Sequence, residues 1–62
     1  MKYVYDGSVT EYGTEICRRW HGETTAPSLA KAVSNLKYQY NKQHNRLPYC
    51  KIELNTKNIK MN

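Results

Sequence analysis

A chain of 62 residues holds one core and therefore one domain, which excludes a multidomain enzyme and leaves a fold that is marginal unless well packed. Six tyrosines and one tryptophan with no phenylalanine put the aromatic bulk at core edges or on the surface, where a hydroxyl finds water or a partner. A net charge of +5 favours an anionic partner, and the absence of any long apolar run leads us to expect no membrane span and a cytoplasmic location.

Lys2-Tyr3-Val4-Tyr5 is rich in strand formers, and Asp6-Gly7 reads either as a tight turn or as a bulge before Ser8-Val9-Thr10-Glu11-Tyr12. We favour one long strand ending at Tyr12-Gly13, because a turn would leave strands of only four or five residues with weak alternation. In that register Tyr3, Tyr5 and Val9 share a face, with Gly7 between them.

After Gly13, residues Thr14 to Glu23 read as a second strand. Ile16 and Trp20 share one face, with Arg18 between them. Glu15, Cys17, Arg19, His21 and Glu23 share the other, so the first set is the expected core face. Arg18 breaks the pattern; either its stem lies along the core edge or a bulge shifts the register there.

A helix is expected over about Pro27 to Gln43. Thr25 is the expected N-cap, its hydroxyl accepting from the Ser28 N–H, with Pro27 in the first turn. Leu29, Ala32, Val33, Leu36 and Tyr40 form the core stripe, while Lys31, Ser34, Asn35, Tyr38 and Lys42 occupy the outer side. Tyr38 is the aromatic out of place there, either a scattered surface residue or a contact residue. His44-Asn45-Arg46-Leu47-Pro48 ends the helix, since proline excludes it.

A third strand follows, in which Cys50, Ile52 and Leu54 face the helix and Tyr49, Lys51, Glu53 and Asn55 face outward. Asn55-Thr56-Lys57-Asn58 reads as a turn, and Ile59-Lys60-Met61 as a short edge strand or a frayed tail. The expected fold is α+β: a small antiparallel three-stranded sheet, ββαβ in the order 2-1-3, with a short fourth strand left open, packed on one helix.

Cys17, His21, His44 and Cys50 amount to one zinc site's worth of ligands, but residues four apart on a strand point the same way about 13 Å apart, too far to hold one ion. No metal and no cofactor is expected, and the two cysteines read as small apolar groups rather than a disulfide. No phosphate loop, nucleophile elbow or metalloprotease helix is present, so we expect no enzyme.

The charge is unevenly placed. Lys2, Arg18, Arg19 and Lys31 are balanced by Asp6, Glu11, Glu15 and Glu23, whereas Lys37, Lys42, Arg46, Lys51, Lys57 and Lys60 face only Glu53. This asymmetry points to nucleic acid, DNA and RNA both remaining open, with a merely solvated basic surface as the plainer alternative. The candidate binding residues are Arg19, His21, Lys42, Arg46, Tyr49, Lys51 and Lys57, with Tyr12 and Lys60 beside them, on the premise that bases stack on exposed aromatics while cations meet phosphates. The rival is a protein-binding module or a homodimer formed through an exposed edge strand and a tyrosine-rich surface.

Trp20-His21-Gly22-Glu23-Thr24-Thr25-Ala26-Pro27-Ser28, followed by Lys31-Ala32, Ser34-Asn35-Leu36 and Tyr38-Gln39-Tyr40, resembles small uncharacterised proteins carried by phages and mobile elements of Gram-positive bacteria. The resemblance runs from the second strand through the helix and into Lys51-Ile52-Glu53-Leu54. It implies either a nucleic-acid-binding accessory protein or a protein–protein interaction module, such as an inhibitor of a host defence or CRISPR system. A DNA mimic would be acidic, so an inhibitor of this charge would act by another route.

Overall fold

The computed structural model describes residues 1–47 and 50–61. The elements run β1 (Lys2–Glu11), β2 (Thr14–Thr25), α1 (Leu29–Gln43), β3 (Glu53–Leu54), a 3-10 turn (Thr56–Asn58) and β4 (Ile59–Met61). The sheet is antiparallel in the order β2-β1-β3, and β4 also pairs with β1. The α+β architecture and strand order are those expected, and the tail is a fourth strand.

Asp6-Gly7 is not a turn: β1 runs through it unbroken, and the chain reverses at Tyr12-Gly13, where both residues have positive φ (51° and 79°). That is the φ signature of the tight turn whose twist matches paired strands. Register slips between Gly7 and Val9 and again between Val9 and Thr10. Gly7 pairs with Trp20 but Val9 with Cys17, so Arg18 and Arg19 together oppose Ser8. This bulge answers the irregularity at Arg18 and corrects the facing of Cys17. Instead of pointing outward with Arg19 and His21, Cys17 is half-buried and packs with Ile16 against the core.

The 15-residue helix is capped by Ser28, whose Oγ accepts from the Lys31 N–H at 3.3 Å. Thr25 is not the cap, because it is still paired with Lys2 at the end of β2. The far end closes without waiting for Pro48. Asn45 has φ 55°, its N–H donates to the Lys42 carbonyl, and the Arg46 N–H donates to the Asn41 carbonyl at 2.7 Å, which together make a left-handed helix stop.

One face of the sheet packs on α1. Tyr5, Val9, Trp20, Leu36, Tyr40, Ile52 and Leu54 form the main core, and a smaller cluster of Tyr3, Ala26 and Ala32 lies apart from it. The expected stripe holds for Ala32, Leu36 and Tyr40. Val33 is only half-buried, and Leu29 stays 45% exposed. Trp20 is bracketed by Tyr5 at 6.0 Å and by Tyr40 edge-on at 5.5 Å, and its Nε1–H donates to Gln43 Oε1. Polar helix residues stitch the same flank to β2: Asn35 donates to the Thr24 hydroxyl and Gln39 to the Glu23 carbonyl. On the other flank, buried Asn41 donates to the Cys50 carbonyl at 3.1 Å and anchors the returning chain.

Candidate functional site

The outer face of the sheet, where Arg19 and His21 were expected to act, is largely satisfied by its own charges. Arg19 makes a two-pronged pair with Asp6, Nε and Nη2 donating at 2.7 and 2.8 Å. Its guanidinium holds the Asp6 carboxyl below the usual carboxylate range, and the carboxylate in turn raises Arg19. Across the same face Glu23 accepts from Lys2 at 2.7 Å and lies 3.3 Å from the His21 ring, and these two neighbours lower its pKa. His21 and Lys57 do come together there, in a shallow hollow of about 310 Å³ with Val4, Asp6, Asn58 and Lys60.

Arg46 is likewise engaged. It is half-buried in an ion pair with Glu11, which lifts its pKa further. Because Arg46 follows the helix stop and Glu11 immediately precedes the turn, the pair ties the end of α1 to the tip of the β1–β2 hairpin. Lys42 is exposed on the last turn of α1, and Tyr49 lies outside the described residues.

A roomier hollow lies beside the helix. A groove of about 520 Å³ opens between α1 and the β3 segment, lined by Tyr12, Ser34, Lys37, Tyr38, Cys50, Lys51, Ile52 and Glu53. Of the expected site residues it holds Lys51, and it brings together Tyr12, expected beside those residues, and Tyr38, the aromatic on the outer side of the helix. Tyr12 is 79% and Tyr38 51% exposed. Lys37 borders the core stripe, so the helical pattern alone does not mark it as a site residue. The only signal was its place one residue before Tyr38 on the flank that meets β3.

Among the described residues, no group of three or more His, Cys, Asp or Glu side chains is placed to hold a metal ion, and Cys17 and Cys50 are free thiols. His44 stacks on Tyr40 at 4.2 Å at the helix end, whereas His21 lies beside Glu23 on the sheet face turned away from the helix. No described helix is long and apolar enough to cross a membrane. Comparisons with protein-family models, curated proteins and solved structures find no match to this chain.

Proposed function

We propose that this is a small basic nucleic-acid-binding protein. The observation that carries the reading is how the charges are spent. Asp6, Glu11 and Glu23 are committed to internal pairs with Arg19, Arg46, Lys2 and His21. Arg18, Lys31, Lys37, Lys42, Lys51, Lys57 and Lys60 make no ion pair among the described residues. The folded protein therefore shows a surface whose unneutralised charge is mostly positive and mostly drawn from the second half of the chain. Such groups gain chiefly by displacing counterions from phosphates.

Fluorescence anisotropy with labelled duplex and single-stranded oligonucleotides tests this. Binding through about four phosphate contacts should weaken by about two orders of magnitude between about 50 and 200 mM salt. Absence of binding at the lower salt, or an affinity indifferent to salt, overturns the reading.

A further inference from the structure

We propose that the groove between α1 and β3 is a site for single-stranded nucleic acid, in which an unpaired base stacks on Tyr12 and Tyr38 and the flanking phosphates meet Lys37 and Lys51. This deepens the nucleic-acid reading above and depends on it.

Tyr12 provides the first argument. It sits at φ 51° in a two-residue turn, a conformation that asparagine or aspartate accepts readily and that costs a bulky residue stability. Among the described residues it is the most exposed large hydrophobic residue, and it belongs to neither core cluster. A strained backbone position carrying a ring that the core does not use is the pattern of a residue kept for contact. The Arg46–Glu11 pair holds this turn beside the helix end, so the ring is presented from a fixed support.

Tyr38 provides the second. It reaches the same groove from a different element, and like Tyr12 it is exposed. Stacking on aromatic side chains is how unpaired bases are held without regard to sequence. The volume is in the range of small-molecule sites, roughly 300–1,000 Å³, and Ile52 contributes a buried apolar side chain to the lining. Ser34 and Glu53 supply a hydroxyl and a carboxylate beside it, suited to a base's exocyclic amine rather than to a phosphate. A duplex keeps its bases stacked inside and cannot offer one.

The test uses labelled oligonucleotides of one sequence as DNA single strand, RNA single strand and DNA duplex, with the full chain and three variants. Wild type should prefer a single strand over the duplex by about tenfold or more. Tyr12→Asn, which suits the turn better, should melt at the same temperature or higher yet bind about tenfold or more weakly, since each stacked base contributes about 1–3 kcal/mol. Tyr38→Ala should lose a similar factor with no change in the salt slope, whereas Lys51→Gln should reduce that slope by about 0.7. A loss confined to the DNA or to the RNA strand supports the site and identifies which polymer it takes. Equal binding of strand and duplex with both tyrosine variants unchanged overturns the groove while sparing the broader reading; no binding of any oligonucleotide overturns both.

Discussion

Tyr5 shows how a residue that reads simply as a strand former becomes a joint between distant segments. Its side chain is fully buried, and its hydroxyl donates to the Ser8 carbonyl and accepts from the Asn55 N–H at 3.2 Å. One oxygen thus satisfies backbone groups from β1 and from the loop after β3. Tyr5→Phe keeps the ring and leaves both groups unpaired, so it should cost about 1–3 kcal/mol, read from urea unfolding followed by the fluorescence of Trp20, the single tryptophan. A variant as stable as wild type would mean water replaces the hydroxyl. Gly22 plays the complementary part: a Cβ there would lie 2.4 Å from the Trp20 ring, so the indole packs directly over the glycine. Neither relation is visible in strand propensity, because both depend on what lies above the face.

At the scale of elements, the telling feature is the divided edge. β3 pairs with the end of β1 at Val9 and Thr10, β4 with its beginning at Tyr3 to Tyr5, and the 3-10 turn bridges the gap opposite Gly7. A Cβ on Gly7 would fall 2.2 Å from Asn58 Nδ2 and 2.7 Å from its Cγ, so the missing side chain is what lets the turn sit against the sheet. Gly7→Ala should therefore destabilise by about 1–3 kcal/mol through overpacking. Combined with Asn58→Gly, which removes the atoms it strikes, it should cost clearly less than the sum of the two single changes. Strict additivity in that double-mutant cycle would show that the contact does not constrain the fold. The bulges at Arg18-Arg19 and Ile16 interrupt the regular ladder of β2, and Gln39 donates to the Glu23 carbonyl on that strand.

Over the whole molecule, the ion pairs divide the charges into those that serve the fold and those free for a partner. Asp6 and Glu23 are both held below the ordinary carboxylate range, by Arg19 and by Lys2 with His21. Their stabilising contribution is therefore complete above the unfolded values near 4 and is lost as pH falls through the lowered folded values. Denaturant midpoints should decline on the acid side of about pH 4. The Asp6→Asn, Glu23→Gln double variant should show a flatter acid limb, as should high salt, because these pairs are exposed. An acid limb unchanged in the variant would assign acid lability to other carboxyls.

Read from sequence alone, the chain determines the order of its elements and most of their faces, Tyr3, Tyr5, Val9 and Trp20 inward, Ala32, Leu36 and Tyr40 under the helix, Ile52 and Leu54 against it, although the expected third strand pairs only at Glu53–Leu54 and leaves Cys50 to Ile52 outside the ladder. Periodicity reports these because burial on one side of a strand or helix repeats with the backbone's own geometry. The candidate site was less legible. Arg19 and Arg46 looked like free cations, since nothing local shows that Asp6 and Glu11 lie opposite them, and Tyr12, Lys37 and Tyr38 belong to segments that meet only when the hairpin tip closes on the helix. Tertiary structure alone decided the bulge that turned Cys17 inward, the pairing that spent those cations and the groove beside α1. Each depends on register between residues far apart in the chain, where a shift of one position exchanges the faces of a strand and changes every neighbour it meets.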